Sequence, residues 1–228
     1  MYLELLMIKF YSEFIKLIFI MSDKASSADN QQGSRRSGDP SETIRRAPSS
    51  EKAIKAYLLG ALHDATFSSN KRFRFSQKGT KWLKLLKLML KKIGYNSWIY
   101  REGKNRLVYV LETLASFLDF NFNPLKFASK IEKINYLKGF FDAEGGIPKN
   151  NKKFYIQLVQ SDKEKLRKIK KILKDLKIET GSIHNPSKKI DPEYWRMYVL
   201  KTSHKKFAKL IGSLHHRKIK VFRKRMMI

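Results

Sequence analysis

Two apolar segments of the sequence each contain a glycine and end near an acidic residue. They are AYLLGALHDATF, which holds Asp64, and NYLKGFFDAEGGI, which holds Glu144. If Gly60 and Gly139 allow two helices to pack closely, both carboxylates meet at one end of the helix interface. One or two carboxylates, together with substrate phosphates, satisfy the preference of Mg²⁺ for oxygen ligands. Metal ions held in this way activate water and stabilise a leaving oxygen, so the two acids predict a catalytic Mg²⁺ (or Mn²⁺) site for phosphodiester hydrolysis.

The two segments differ by one residue in the spacing between glycine and acid. Glu144 lies five residues after Gly139, whereas Asp64 lies four residues after Gly60, and the fifth position holds Ala65. Either the first helix is one residue shorter and Asp64 takes the acid position, or Ala65 leaves that position without a carboxylate. We favour Asp64, and the alternative with Ala65 stays open at this point.

Both acids belong to an internal repeat, because three segments of the first half have a similar segment in the second half, in the same order. Tyr57 matches Tyr136, Gln77 matches Gln160, and LVYVLET matches RMYVLKT further along the chain. Each copy predicts a helix, a hairpin, a helix, a second hairpin and a terminal helix. The sequence therefore predicts an α+β fold made of two pseudo-symmetric αββαββα repeats.

Local patterns place several of these elements. Ser50 is a suitable N-cap for the first helix, and alternation of apolar and basic residues predicts a strand over 71–77. Apolar residues at helical spacing predict the next helix over 80–93. In the second repeat, the sequence SDKE (161–164) predicts a capping box, and residues 181–202 are predicted to form the last hairpin.

Composition divides the chain into a leader and a folded part. Residues 1–50, whose second half is rich in serine and other small polar residues, predict a disordered or poorly ordered leader and linker. Residues 51–130 and 131–228 are predicted to hold the first and second repeats. Charged residues interrupt the apolar start of the chain, which therefore lacks the run of about 20 apolar residues that a membrane span needs. We expect no membrane partner.

The charge of the protein points to a polyanionic partner. The chain has 49 Lys and Arg against 20 Asp and Glu, a net charge of +29, and 42% of its residues are hydrophobic. That much apolar material can form a core, and a compact chain with this charge is destabilised by self-repulsion unless a partner neutralises it. Nucleic acid is the first candidate. The absence of cysteine excludes disulfide frameworks, cysteine-bound zinc and thiol catalysis.

The motif segments resemble those of a known family. YLKGFFDAEGG (136–146) resembles the signature of the LAGLIDADG homing endonucleases, and YLLGALHDATF (57–67) resembles a degenerate first copy of it. The resemblance covers roughly residues 51–225. Two-motif members of that family pack their motif helices together, place a saddle of two sheets over DNA, and cut both strands with divalent metal. The resemblance implies a site-specific double-stranded DNA endonuclease that acts as a monomer.

The resemblance suggests roles for Gln77 and Gln160, and spacing suggests one for Lys81. In the family's fold, the positions that match Gln77 and Gln160 lie at the edge of the active site and help to order its water. Lys81 follows Gln77 by about one helical turn and is a candidate for neutralising the scissile phosphate. We therefore expect Gln77, Gln160 and Lys81 to join Asp64 and Glu144 in the catalytic site.

Base reading is expected from the strand faces that point away from the core. Arginine recognises guanine, and glutamine or asparagine recognises adenine, in a major groove wide enough for a two-stranded ribbon. The predicted DNA contacts are Asn70, Arg72, Arg74, Tyr100, Arg106, Lys153, Tyr155, Gln157 and Arg196.

Two other functions remain open on the same fold. One is an RNA maturase that binds the intron encoding it, and the other is a catalytically inactive DNA-binding protein. Members of the family are typically encoded inside introns or inteins. We expect the protein to be cytoplasmic and associated with the nucleoid, or organellar if the host is eukaryotic.

Overall fold

The computed structural model describes residues 47–103, 107–148 and 153–226, which form six α-helices and seven β-strands. The helices are α1 (Glu51–Ala61), α2 (Lys81–Lys92), α3 (Lys130–Glu144), α4 (Lys163–Asp175), α5 (His204–Leu210) and α6 (His216–Met226). The strands are β1 (Ala65–Phe67), β2 (Phe73–Gln77), β3 (Ser97–Glu102), β4 (Val108–Thr113), β5 (Gly145–Gly146), β6 (Ile156–Gln160) and β7 (Trp195–Val199). Residues 1–46, most of the predicted leader, lie outside the described residues.

The strands form two antiparallel sheets, one in each half of the folded chain. The first sheet has the order β1-β2-β4-β3, and the second has the order β5-β6-β7. The predicted α+β class is confirmed. All described residues lie in one compact unit, and the division into repeats at 51–130 and 131–228 stays a prediction. Within the described ranges, no helix is both long and apolar enough to cross a membrane.

The last hairpin differs from the prediction. Residues 181–202 supply only one strand, β7, and its expected partner strand is reduced to isolated bridges from Thr180 to Val199 and from His184 to Arg196. The two bridges are four residues apart on the side of Thr180 and His184, but only three residues apart on β7. The extra residue interrupts regular pairing, as in a β-bulge.

The terminal helix of the first repeat is also shorter than predicted, because the chain there forms only a 3₁₀ turn, Pro124–Lys126. The side chains of Asp119 and Asn123 accept hydrogen bonds from the backbone N–H groups of Asn121 and Leu125. Such local bonds offer the backbone an alternative to a regular helix.

Helix starts follow the expected chemistry, although one cap lies at a different residue. Ser50 caps α1 and accepts a hydrogen bond from Ala53 N, as predicted. The predicted capping box at 161–164 is wrong, because Asp162 is the N-cap of α4. A complete capping box instead starts α3, where Ser129 and Glu132 satisfy each other's backbone groups.

The two halves meet through α1 and α3, which pack closely side by side. A Cβ atom added at Gly60 would overlap the carbonyl oxygen of Tyr136, and one added at Gly139 would overlap that of Tyr57. Only glycine allows the two backbones to approach this closely. Two apolar clusters lie on either side of the helix pair, one under each sheet.

Candidate active site

The first acid is reached by a change of helix type. A 3₁₀ turn, Leu62–Asp64, follows α1 directly. A 3₁₀-helix rises about 2.0 Å per residue and an α-helix about 1.5 Å, so the four steps from Gly60 to Asp64 advance about 7.5 Å. Five α-helical steps separate glycine and acid in the second repeat, and they cover the same length. Ala65 is instead the first residue of β1 and pairs with Phe75. The geometry places Asp64, not Ala65, at the acid position.

The two acids influence each other electrostatically at the end of the helix pair. Burial raises the pKa of Glu144 to about 7, and the negative charge of Asp64 contributes to the rise. Burial likewise raises the pKa of Asp64 to about 6. Water reaches the carboxylate of Asp64 at the surface, but surrounding protein displaces enough solvent to disfavour its charged form. A cation placed between these groups would favour both carboxylates in their ionised forms.

Gln77 lies beside the first acid. Its side chain points to the same face of β2 as that of the buried Phe75, because alternate residues of a strand share a face. Its Nε2 donates a hydrogen bond of 3.0 Å to Oδ2 of Asp64. Gln77 therefore holds the orientation of this carboxylate.

Gln160 occupies a different environment from its counterpart. Its Oε1 accepts hydrogen bonds from the backbone and hydroxyl groups of Ser161, so its Nε2 donates to Nδ1 of His63 at 2.8 Å. Nε2 of His63 then carries the proton and donates to the Tyr136 hydroxyl at 2.7 Å. Burial lowers the pKa of His63 to about 3, so the ring is neutral. Gln160 thus fixes a structural histidine instead of contacting an acid.

Lys218 is the residue that sequence reasoning missed. It lies on α6, where only 3% of its surface is exposed, and its Nζ donates to the carbonyl oxygens of Phe141 and, at 3.0 Å, Asp142. Burial lowers its pKa to about 8, while the negative charges of Asp142, Asp64 and Glu144 oppose that shift. Its positive charge in turn lowers the pKa of both acids. The sequence carries a signal, since Lys218 shares one helical face with buried Phe222 and Met226.

Asp142 holds the end of the second motif helix in place. Its buried carboxylate accepts hydrogen bonds from the Tyr57 hydroxyl at 2.6 Å, from Leu214 N at 2.8 Å and from the Ser213 hydroxyl. The indole N–H of Trp82 donates to the same Tyr57 oxygen at 2.9 Å. This network joins α1, α2, α3 and the segment that leads into α6. Asp142 therefore positions the elements around the acids, and protein donors already occupy its carboxylate oxygens.

A cleft of about 750 Å³ adjoins the acids. Gln77, Lys81 and Lys218 line it, so the predicted Lys81 and the unpredicted Lys218 border the same space. The described ranges hold no group of three or more His, Cys, Asp or Glu side chains that could bind a metal. A pair of carboxylates still fits Mg²⁺, because this ion retains waters and takes its remaining ligands from substrate phosphates.

The outer face of the first sheet carries a network of ion pairs. Arg74 donates to Glu112 at 3.1 Å and to Glu102 at 2.6 Å, and Arg72 donates to Glu112 at 3.2 Å. The Tyr100 hydroxyl donates to the same Glu112 carboxylate at 2.7 Å. Burial alone would raise the pKa of Glu112, but the hydrogen bonds from Tyr100 and Arg72 bring it below its usual value. Three predicted DNA contacts thus share one carboxylate.

The outer face of the second sheet is built differently. Gln157 Nε2 donates to the Tyr194 hydroxyl at 3.3 Å. Arg196 Nε donates to Nε2 of His184 at 3.2 Å, and its guanidinium lies 5.5 Å from the centre of the Tyr198 ring. In the described part of this face, amide, imidazole and aromatic groups replace the carboxylates of the first sheet.

The other predicted contacts are surface residues. Asn70 is exposed in the turn before β2, and Lys153 and Tyr155 are exposed just before β6. Arg106 lies outside the described residues. The predicted DNA-contact residues that the structure describes all lie on or beside the two outer faces, where a ligand can reach them.

The chain is similar to known proteins in sequence and in structure. Residues 132–212 match the LAGLIDADG-like domain family. A structure of I-DmoI in complex with DNA and Mn superposes with a TM-score of 0.56 and 18% identity, covering 72% of this chain and 98% of that one. The structure of full-length DUF199/WhiA from Thermatoga maritima superposes with a TM-score of 0.60 and 17% identity, covering 83% of this chain and 66% of that one. The structure of the N-terminal LAGLIDADG domain of DUF199/WhiA superposes with a TM-score of 0.59 and 17% identity, covering 80% of this chain and 94% of that one. No curated protein matches the sequence.

These structural likenesses cover both halves of the folded chain, whereas the sequence match covers only the second half. The paired helices with glycine at their contact, and an antiparallel sheet on each side, occur here in the order that the motif repeat predicts. At 16–18% identity, the likeness establishes the fold and leaves the activity to be argued from the site. Residues 132–212 therefore match the LAGLIDADG-like domain family, and the chain has the fold of the LAGLIDADG proteins.

Proposed function

We propose that the protein is a site-specific endonuclease that hydrolyses double-stranded DNA with Mg²⁺ or Mn²⁺. The observation that carries this proposal is the convergence of Asp64 and Glu144, one from each half, at the end of the α1–α3 interface. The fold shared with I-DmoI, which has been crystallised with DNA and Mn, supports it.

The proposed roles follow from the contacts of each side chain. Asp64 and Glu144 would hold the metal, which supplies charge neutralisation and an activated water at the scissile phosphate. Gln77 keeps the carboxylate of Asp64 oriented through its hydrogen bond. Lys218 and Lys81 place positive charge along the adjoining cleft, where the charge on the transferring phosphoryl group develops.

The two sheets would bind the DNA on either side of these acids. Arginine, glutamine and tyrosine side chains on the outer faces can reach base edges, while the excess of lysine contacts phosphates. One chain supplies both acids and both sheets. A monomer can therefore present a complete but asymmetric site to the two strands.

The test is selection of cleaved sequences from a plasmid library with randomised inserts. The wild-type protein should linearise a narrow set of sequences in Mg²⁺ and none in EDTA. Glu144→Gln should produce no linear product yet bind the selected sequence in Ca²⁺. Glu164→Gln, which removes an exposed acid of α4, is the matched control and should cut normally. Metal-independent cutting, or normal cutting by Glu144→Gln, would refute the proposal.

A second candidate is a DNA-binding protein without nuclease activity. The observation in its favour is Lys218, whose buried ammonium group already supplies positive charge beside both acids. Sequence-specific binding with no nicked or linear product in either Mg²⁺ or Mn²⁺ would identify this function.

A further inference from the structure

The loop that leads into β7, residues 185–194, presents an exposed isoleucine. Ile190 is 90% exposed, more than any other large hydrophobic side chain of the described residues. It follows Lys188 and Lys189, which are exposed as well. Single exposed apolar residues are common on protein surfaces, so the meaning of Ile190 depends on how the 185–194 loop holds it and where the loop lies.

The side chain of Asn185 holds the 185–194 loop in one conformation. Its Nδ2 donates to the carbonyl oxygens of Asp191 at 2.8 Å and Pro192 at 2.9 Å, and its Oδ1 accepts from the backbone N–H of Ser187 at 2.8 Å. The carbonyl oxygen of Ser187 accepts hydrogen bonds from the N–H groups of Ile190 and Asp191, each at 2.8 Å. These bonds join the two sides of the loop. A loop that is already ordered loses less conformational entropy when it binds a ligand.

Both sides of the loop join the second sheet through residues of its outer face. His184 precedes the loop, its Nε2 accepts from Arg196, and its ring stacks on that of Tyr198 with 6.1 Å between the ring centres. Tyr194 ends the loop, and its hydroxyl accepts from Gln157. Because Arg196 and Gln157 are predicted DNA contacts, the 185–194 loop continues the face that is proposed to read bases.

The loop lies at the end of the second sheet that is nearest to the acids. Strand β7 begins at Trp195, which pairs with Gln160. Gln160 in turn bonds to His63, the residue that precedes Asp64. A duplex that follows this sheet would therefore meet the loop close to the scissile phosphates, rather than at the outer end of the target.

The charges of the loop are divided between its two sides. Lys188 and Lys189 come just before Ile190, whereas Asp191 and Glu193 lie on the return to β7. Oδ1 of Asp191 accepts from the backbone N–H of Glu193 at 3.3 Å, so this carboxylate bonds within the loop. The two lysines can contact phosphates, which fix the position of a protein on the duplex but carry no sequence information. Ile190 is then the residue beside them that can contact a base.

We infer that Ile190 contacts the C5 methyl group of a thymine in the major groove and selects thymine at that position. The inference rests on the proposed binding of DNA by the outer faces and does not require cleavage. The thymine methyl is an apolar group that base edges present in this groove, and proteins recognise it by apolar contact. A position near the centre of the target would thus be read without a hydrogen bond.

The experiment measures binding of the full chain to a duplex that has been selected by binding in Ca²⁺, so it does not depend on cutting. Each thymine of this duplex is replaced in turn by deoxyuridine, which removes only the methyl group. One replacement, in the part of the DNase footprint nearest to its centre, should weaken wild-type binding about fourfold, the effect of exposing one buried methyl-sized group.

Variants of the loop assign that methyl effect to one side chain. Ile190→Ser should weaken binding of the unmodified duplex by a similar factor and should no longer respond to deoxyuridine at that position, while Ile190→Val should respond like the wild type. Asn185→Ala loosens the loop without removing the contact, so the response should fall about twofold. Leu88→Ser, which removes a side chain of α2 that is 42% exposed, is the matched control and should respond like the wild type.

The outcomes separate this inference from the proposed function. An equal deoxyuridine response in the wild type and in Ile190→Ser would overturn the inference, as would an Ile190-dependent response only at the outer end of the footprint. Sequence-selective binding without cleavage would refute the nuclease function and leave the inference to be decided by the deoxyuridine series. Absence of sequence-selective binding to duplex DNA would overturn both.

Discussion

The outer faces of the two sheets serve the same predicted purpose but are stabilised differently. On the first sheet, Glu112 fixes Arg72 and Arg74 through ion pairs, and Glu102 holds Arg74 from the other side. On the second sheet, Gln157 donates to the Tyr194 hydroxyl, and Arg196 contacts the imidazole of His184 and the ring of Tyr198. Ion pairs therefore preorganise the arginines of the first face, whereas the contacts of Gln157 and Arg196 on the second face involve no carboxylate. A repeated fold has thus produced two unequal outer faces.

The same inequality appears at the acids. The second repeat ends its motif helix as a regular α-helix at Glu144, while the first reaches Asp64 through a 3₁₀ turn. Each glutamine follows the local geometry, so Gln77 bonds to an acid and Gln160 bonds to His63. The two halves share an architecture but differ in the groups around each carboxylate.

The largest expected effect tests whether the unequal acids contribute equally. Asp64→Asn and Glu144→Gln should each reduce cleavage by at least about a hundredfold, and the double variant should be scarcely worse, because groups that act as one unit respond non-additively. The assay scores nicked and linear product from a supercoiled plasmid that carries the selected target. A wild-type linear yield from Asp64→Asn would leave Glu144 as the sole supported metal carboxylate.

The second prediction concerns the contact between α1 and α3, where the two halves of the molecule are alike. Gly60→Ala and Gly139→Ala each insert a methyl group into a backbone carbonyl of the facing helix. Each should therefore lower the free energy of unfolding by about 3 kcal/mol. Gly79 has open space around its Cβ position and serves as the control. Gly79→Ala should change stability by no more than about 0.5 kcal/mol. Urea denaturation measures all three, and a well-tolerated Gly60→Ala would mean that the two helices lie further apart.

Periodicity and repetition predicted most of the elements that position the acids. Helices α1 and α2 and strand β2 follow from capping and apolar spacing, and the glycine contact follows from the repeat. The 3₁₀ turn could not be predicted, because α and 3₁₀ helices share the same local preferences and tertiary packing decides between them. The displaced cap at Asp162 arose for a similar reason, since Ser161 bonds instead to Gln160.

The features that sequence missed depend on long-range contacts. Lys218 looks like one more basic residue of a basic tail until α6 places it against the end of α3. Glu112 looks like an ordinary strand residue until registry sets it opposite Arg74. The alternation along β2 predicted that its arginines would point away from the core. It could not show that a carboxylate holds them in place.

The third prediction disrupts the preorganised face. Glu112→Gln keeps the size of the side chain but removes the charge that fixes Arg72 and Arg74, so discrimination at the base pairs they contact should fall about tenfold. Affinity for unrelated DNA should rise, because Arg72 and Arg74 both lose their ion pair with Glu112 and Arg74 keeps only the one with Glu102. Competition binding in Ca²⁺ with single-base variants of the target measures both. Unchanged discrimination would show that the network has no part in base reading.

The smallest expected effect lies on the second face and completes the comparison. Tyr194→Phe removes the hydroxyl that accepts a hydrogen bond from Gln157. A single neutral bond of this kind contributes about 1 kcal/mol at most at a partly exposed site. If this face adapts to its ligand, Gln157 can use water or a base edge instead, and discrimination should change less than about threefold. The measurement is the same competition assay, with Glu112→Gln as the reference. A loss at Tyr194→Phe as large as that at Glu112→Gln would show that both faces are equally preorganised, and that carboxylates are not what distinguishes them.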